Sequence, residues 1–152
     1  MRKGLKICCI SSHGGHLHEM MGAMEGIEGN IVWFTHKTKA SQVTLNGKPH
    51  HFILDPNVSK IKFAINALQA LWYLILERPK VIVSTGSGIA LPMMLFGKYL
   101  FQSKLVFVES AAMVIQPSKT GRAIYTVQIT AEYIRNTTEY AALYDRRKET
   151  IE

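Results

Sequence analysis

Short apolar runs that are each followed by a glycine-containing loop constrain the fold of this sequence most strongly. Residues 7–10 lead into a loop with two adjacent glycines, and residues 81–84 lead into a second glycine-rich loop. Segments with a helical spacing of apolar residues separate these runs. A short continuous apolar run bounded by turn residues is typical of a strand buried in a parallel sheet. The order predicts an α/β fold, a Rossmann-like doubly wound parallel sheet with helices on both faces.

Five strands and three helices are predicted along the chain. The strands are residues 7–10, 30–35, 51–54, 81–84 and 105–109, and the helices are residues 17–25, 60–77 and 89–100. Ser59 is a candidate N-cap for the longest helix, and Pro79 follows its end. Residues 1–125 are expected to form one domain. Residues 126–152 are expected to form a mainly helical tail that packs on this domain or on a partner, although residues 122–134 fit either a helix or a strand.

Composition narrows the classes of partner. Eighteen Lys and Arg against eleven Asp and Glu give a formal charge of +7, which favours anionic ligands or surfaces. The charge is spread along the chain and no recognition motif is present, so we do not expect a nucleic-acid partner. Cys8 and Cys9 are adjacent, and in a strand they point to opposite faces, so we expect core thiols in a reducing compartment rather than a disulfide.

No apolar segment reaches the roughly 20 residues that a membrane-spanning helix needs. We therefore expect a cytoplasmic chain, peripheral on the inner face of the membrane. The helix at 60–77 carries Trp72 and two N-terminal lysines and is one candidate for that contact, although packing on the sheet accounts for most of its apolar residues. The helix at 89–100 and Phe101 are a second candidate, with Met93, Met94, Phe96 and Tyr99.

Three polar segments fall where the predicted strands end, which is where ligands bind to open α/β sheets. The first contains Ser12, Gly14, Gly15 and His16; the second contains Thr85, Gly86, Ser87 and Gly88; the third contains Glu109 and Ser110. Glycines let a backbone approach a phosphate or sugar closely, and a helix N-terminus holds anions. Tight turns, a hydrogen bond from His16 at the helix end and a loop-ordering role for Glu109 are the simpler interpretations.

Residues 117–122 form a further polar loop beyond the fifth strand. Lys119, Thr120 and Arg122 would suit a diphosphate group, and a solvated turn is the alternative. A metal site formed by His13, His16 and His18 does not match a familiar ligand spacing. We therefore expect no metal and no cofactor.

Three ordered blocks resemble a known group of glycosyltransferase subunits. Residues 10–19 (ISSHGGHLHE) resemble the "SSGGHLxE" start of accessory subunits in capsular and exopolysaccharide synthesis, and of the membrane-recruiting subunit of the dolichol-pathway UDP-GlcNAc transferase. Residues 80–92 (KVIVSTGSGIALP) are similar to their "PDVIISTGAGIAVP" block. Residues 106–109 with 117–122 are similar to "IES…PSLTGR". The layout also resembles the N-terminal half of the peptidoglycan transferase that builds lipid II.

The resemblance implies the N-terminal half of a GT-B glycosyltransferase divided between two chains. This chain would present a polyprenyl-diphosphate-linked sugar at the membrane and recruit a catalytic partner that binds the UDP-sugar. Its activity would then require that partner, and a two-domain transferase needs about twice these residues. His16 and Glu109 are the expected residues for chemistry on the acceptor. The eukaryotic relatives have a membrane anchor, and none is expected here. Residues 126–140 match the family pattern poorly.

A function of a different class also fits the glycine loops. A stand-alone nucleotide- or phosphate-binding regulatory module predicts tight nucleotide binding by the isolated chain, whereas the transferase subunit predicts weak binding or none. A self-contained hydrolase fits poorly, because the sequence has no GxSxG motif.

Overall fold

The computed structural model of this protein describes residues 4–109 and 131–135, with side chains for residues 4–108. The strands are β1 (Lys6–Ile10), β2 (Asn30–Thr35), β3 (His50–Phe52), β4 (Val81–Ser84), β5 (Lys104–Glu109) and β6 (Ala131–Arg135). The helices are α1 (Gly15–Ala23), α2 (Lys39–Thr44), α3 (Lys60–Glu77) and α4 (Leu91–Tyr99). Within these residues one parallel sheet has the order β3-β2-β1-β4-β5-β6. The predicted doubly wound α/β fold is confirmed.

Two cores cover the two faces of the sheet. Leu17 and Met20 of α1 pack on one face, and Leu74 of α3 and Met93 of α4 pack on the other. Alternation along β1 places Cys8 in the α3–α4 core and Cys9 in the α1–α2 core, and both thiols are free. Burial raises the pKa of Cys8 to about 12, and burial also raises the pKa of Cys9. Both side chains are therefore neutral, unreactive core groups.

Three predicted elements have the observed bounds, and the other five differ by one or two residues at their ends. β2, α3 and β4 have the predicted bounds, and Ser59 caps α3 by accepting a hydrogen bond from the Lys62 amide at 3.4 Å. The six-residue helix α2 was not predicted. It has no amphipathic period long enough to detect and depends on a capping box between Thr38 and Ser41.

Part of the C-terminal tail forms a strand. Residues 131–135 pair with β5 as β6, with Val106 opposite Glu132 and Val108 opposite Ile134. The sequence left helix and strand open for residues 122–134, and the strand forms here because pairing with the open edge of β5 satisfies its backbone groups. The helical expectation for the rest of the tail stays a prediction. The other tail residues lie outside the described part of the chain, and the division at residue 125 stays a prediction.

Helix α3 packs on the sheet with one narrow side and exposes most of its large apolar residues. Its buried residues are Asn66, Ala70 and Leu74, which recur every four positions on one side. The exposed apolar side chains Ile61, Ile65, Leu68, Trp72 and Ile75 form a row along the opposite side, here named the α3 stripe. The interpretation that these residues pack on the sheet is therefore wrong. The helical period of apolar residues alone does not tell which side of a helix packs on the sheet. In α3 the side with Asn66, Ala70 and Leu74 packs there.

Helix α4 is more deeply buried than its composition suggested. Met93 and Met94 are fully buried, so the second candidate surface is reduced to Tyr99 and Leu100 at the C-terminal end of the helix. Among the residues that the structure describes, no helix is long and apolar enough to cross a membrane.

An ion cluster joins α3 to two strands. Glu77 at the end of α3 contacts Lys6 of β1 at 2.5 Å and Nε2 of His51 of β3 at 2.7 Å. The His51 ring lies against Tyr73, with 4.5 Å between centroids. Partial burial raises the pKa of Glu77, but the hydrogen bonds and charges of Lys6 and His51 outweigh burial, and the pKa lies below its ordinary value.

We expect Glu77→Gln to lower the free energy of unfolding at pH 7 by about 1–2 kcal/mol, because it removes a charge-assisted pair of hydrogen bonds. A lowered folded-state pKa contributes stability that is full above the unfolded-state value, near 4.3, and is lost as pH falls through the folded value. The difference between wild type and variant, measured by urea unfolding, should therefore shrink below about pH 4. Glu28→Gln, at an exposed glutamate, is the control, and an equal effect of both changes would contradict the prediction.

Candidate functional site

The strand order brings the two glycine loops together. The chain leaves β1 toward β2 on one side and leaves β4 toward β5 on the other, so the switch point of the sheet lies between β1 and β4. Ile10 is opposite Ser84 in their pairing, and both loops therefore leave the same edge side by side. Ligand crevices of open α/β sheets form at this position. The hydroxyl of Thr85 donates a 3.1 Å hydrogen bond to the carbonyl oxygen of His16 and fixes one loop to the other.

The first loop leaves the N-terminus of α1 open. Gly14 is the N-cap residue with φ +77°, a left-handed conformation that favours glycine, and a Cβ there would meet no atom within 4 Å. Gly14 has no side chain to accept from the first-turn amides. The Leu17 amide donates to the Gly14 carbonyl at 3.1 Å, which leaves the amides of Gly15 and His16 for an anion. The adjacent Gly15 is exposed as well, and Ser12 is partly buried at the base of the loop.

The second loop is held in a strained backbone conformation. Gly86 has φ +99° and Ser87, which is not a glycine, has φ +87°. The Gly86 amide donates to Ser84 Oγ at 3.1 Å, and the Ala90 amide donates to the Ser87 carbonyl at 3.1 Å. Local strain of this kind costs about 1–3 kcal/mol and persists where the surrounding structure enforces it. Gly88 is exposed beside Pro56 of the β3–α3 loop.

The two residues expected to act on the acceptor lie on separate elements. His16 is in the first turn of α1, half-exposed, with Nδ1 3.6 Å from a Glu19 carboxylate oxygen, which is longer than a hydrogen bond. Glu109 ends β5, two strands from β1, which corresponds to about 10 Å across the sheet. The side chain of Glu109 lies outside the described part, as do Ser110, Lys119, Thr120 and Arg122.

Polar groups at the end of β2 extend this edge and were missed in the sequence. The rings of His13 and His36 lie 5.8 Å apart, which joins the first glycine loop to the residue after β2. Ser11 and Thr35 are at most 1% exposed. Within the described residues, the hydroxyls of both and Nδ1 of His36 have no hydrogen-bond partner. The end of β2 has no glycine or carboxylate, so only the strand order could have pointed to it.

Two amides of α3 hold the loops around the crevice. Nδ2 of Asn66 donates to the carbonyl oxygens of Leu54 at 2.7 Å and Ile89 at 3.4 Å, and Oε1 of Gln69 accepts from the Leu54 amide at 2.8 Å. Both residues interrupt an apolar helix in the sequence. Buried amides on one helix face indicate backbone groups that need partners, and this signal could have predicted the contact.

Two cavities lie away from this edge. One of about 670 Å³ opens near the start of β2 and is lined by Met24, Trp33 and Lys48 among others. The second, of about 320 Å³, lies where α3 and α4 end. In the part of the chain that the structure describes, no group of three or more His, Cys, Asp or Glu side chains is arranged to hold a metal ion.

Comparisons with known proteins agree with this architecture. No protein-family model matches the sequence, and no curated protein is significantly similar to it. Among solved structures, MurG of Acinetobacter baumannii aligns with a TM-score of 0.67 at 14% identity, over 86% of this chain and 41% of that chain. UDP-GlcNAc 2-epimerase of Methanocaldococcus jannaschii aligns with a TM-score of 0.62 at 19% identity, over 97% of this chain and 43% of that chain. Another UDP-N-acetylglucosamine 2-epimerase aligns with a TM-score of 0.63 at 13% identity, over 91% of this chain and 43% of that chain.

The fold is that of a GT-B N-terminal half. At these identities the likeness shows the fold alone, and the chain spans about two fifths of the length of each matched structure. The expected likeness of fold to the N-terminal half of a GT-B protein is therefore confirmed, and membership of a glycosyltransferase family stays a prediction. The division into an accessory subunit and a catalytic partner stays a prediction.

We expect Gly86→Ala to destabilise the fold by about 1–3 kcal/mol. A Cβ at this position would lie 3.3 Å from Cζ of the buried Phe107, at a φ of +99°. Gly22→Ala in α1 is the matched control: a Cβ there meets no atom within 4 Å, and the change should stabilise the helix by about 0.5–1 kcal/mol. Urea unfolding of both variants measures the difference, and equal stabilities would contradict the conformation assigned to Gly86.

Proposed function

We propose that this chain is the acceptor-side half of a two-chain UDP-sugar glycosyltransferase. It presents a polyprenyl-diphosphate-linked sugar at the membrane surface and recruits the catalytic partner that binds the UDP-sugar. The pairing of two glycine loops at the switch point of a GT-B half-fold is the observation that carries this proposal.

The chemistry of the crevice suits a phosphorylated sugar. The open N-terminus of α1 at Gly14 and Gly15 accepts negative charge, and the loop around Gly86 allows close backbone approach. His16 at this edge is the candidate general base for an acceptor hydroxyl, with Glu109 as the second candidate. Lys119 and Arg122 would hold the diphosphate under this proposal.

The nucleotide sugar is assigned to the partner. Two of the structures with a similar fold are UDP-N-acetylglucosamine 2-epimerases, and this chain spans about two fifths of each. Under the proposal, the partner supplies the remaining part of a GT-B fold and closes over the carboxyl edge of the sheet. Activity then depends on both parts, because the reacting groups meet only across the crevice.

The α3 stripe supports the peripheral membrane contact. Ile61, Leu68 and Trp72 are 75%, 68% and 59% exposed along one side of an 18-residue helix. Lys60 and Lys62 lie at its N-terminal end. The one acidic residue of α3, Glu77, is engaged by Lys6 and His51. A row of apolar side chains with basic residues at its end suits the interface of an anionic bilayer, where each basic residue adds about 1 kcal/mol.

The function is tested by transfer from radiolabelled UDP-sugars to a polyprenyl-diphosphate-sugar acceptor. This chain is assayed alone and then together with any companion transferase domain that co-purifies with it, which is also assayed alone. We expect activity only in the mixture. His16→Ala in this chain should lower kcat/KM by about 10²–10⁴-fold if His16 acts as the base, and Glu109→Ala tests the second candidate.

His50→Ala is the matched control, because His50 begins β3 at the opposite, amino edge of the sheet. It should leave transfer unchanged. An inactive mixture together with tight nucleotide binding by this chain alone would refute the transferase subunit and support a stand-alone regulatory module.

The membrane contact makes a separate prediction. Trp72→Ala should weaken binding to anionic vesicles by about tenfold or more, since it removes a large side chain worth about 1.5–3 kcal/mol when buried. Val43→Ala, at an apolar residue of α2 that is 78% exposed, is the matched control and should not change binding. Vesicle flotation measures both, and wild-type protein that does not float with anionic vesicles would exclude the contact.

A further inference from the structure

A cavity of about 320 Å³ adjoins the end of the α3 stripe at the amino edge of the sheet. It is lined by Ile75, Arg78, Pro79, Lys80, Leu100 and Phe101. These residues combine apolar side chains with two cations, and none of them is acidic. Ile75 belongs to both the cavity and the stripe, so the two surfaces are continuous.

Arg78 stands in a backbone position that favours glycine. It is the C-cap residue of α3, with φ 44° and ψ 57° in the left-handed region, and its amide donates to the Leu74 carbonyl. Its Nε donates to the Ile75 carbonyl at 3.3 Å, at the edge of the cavity. A glycine would adopt this conformation without the steric cost of a Cβ. The arginine therefore places a guanidinium at the cavity at the expense of local stability.

We propose that this cavity binds the phosphate of an anionic phospholipid. Arg78 holds the phosphate oxygens in a forked geometry and Lys80 adds a second positive charge. The exposed Ile75 and Leu100 contact the glycerol and acyl region that continues from that phosphate. The cavity volume is at the lower end of the range for ligand sites, about 300–1,000 Å³, which suits a headgroup rather than a whole nucleotide.

The inference rests on the proposed membrane contact and names the lipid chemistry that this contact recognises. The α3 stripe supplies contact with any bilayer, because apolar insertion does not depend on headgroup charge. Lys60 and Lys62 add a general attraction to anionic bilayers, and the cavity binds an individual anionic headgroup. The two contributions are therefore separable by mutation and by lipid composition.

The test is co-sedimentation of the full chain with vesicles of phosphatidylcholine alone and with added phosphatidylglycerol. We expect Arg78→Gly to weaken binding to the phosphatidylglycerol vesicles about fivefold or more and to leave the weaker phosphatidylcholine binding unchanged. The same variant should raise the melting temperature by about 2–4 °C, because glycine relieves the left-handed conformation. A purely structural arginine would not combine lower affinity with higher stability.

Lys80→Ala removes the second cation without altering a left-handed residue and should weaken phosphatidylglycerol binding at unchanged stability. Lys39→Ala removes the same charge from α2, which flanks the other face of the sheet, and should change neither. Inorganic phosphate at millimolar concentration is the competing probe and should not displace the vesicles.

The outcomes separate this proposal from the broader one. The headgroup site is overturned if Arg78→Gly and Lys80→Ala leave vesicle binding unchanged, or weaken it no more than Lys39→Ala does. The proposed membrane contact would not be affected by that result. Complete displacement by inorganic phosphate overturns the lipid assignment in favour of a free anion. Absence of wild-type binding to every vesicle overturns both proposals.

Discussion

The pairing of β1 with β4 is the constraint on which the rest of the molecule depends. These central strands are buried on both faces, and their register places Ile10 opposite Ser84. A slip of one residue would turn every side chain of β1 to the other core, so the register is strongly fixed. The hydrogen bond from Thr85 to the His16 carbonyl then locks α1 to the end of β4. Polar loops distant in the sequence are thereby placed at one edge.

Helix α3 shows how burial can be the reverse of what composition suggests. Its inner side carries Asn66 and Ala70, and its outer side carries Leu68 and Trp72. The core between α3, α4 and the sheet is already filled by Leu74, the methionines of α4 and the strand side chains, so the inner side of α3 does not need further apolar residues. It needs hydrogen bonds for the loops that end β3 and β4, and Asn66 provides them. The large apolar residues are thus left on the outer side of the helix, where a surface patch of this kind is typical of an interaction site.

The fold could be predicted from the sequence because its signals are local. Buried parallel strands are continuous apolar runs, and the 18 residues of α3 hold a helical period long enough to detect. Helix α2, with six residues, and strand β6, which depends on the open edge of β5, have no such signal. The two glycine loops were found by composition, and their meeting follows from the strand order. His36 could not be found, because its position beside His13 exists only after β2 pairs with β1.

One consequence follows from the two sides of α3 taken together. Asn66 and Gln69 bind the crevice loops directly, and the α3 stripe lies on the reverse of the same rigid helix. A helix with its side chains is about 10 Å across. If the outer side of α3 rests on a surface, the loops around the crevice therefore lie about one helix diameter away from that surface. Under the proposed membrane contact, an acceptor would reach the site only if its reactive end extends that far from the surface.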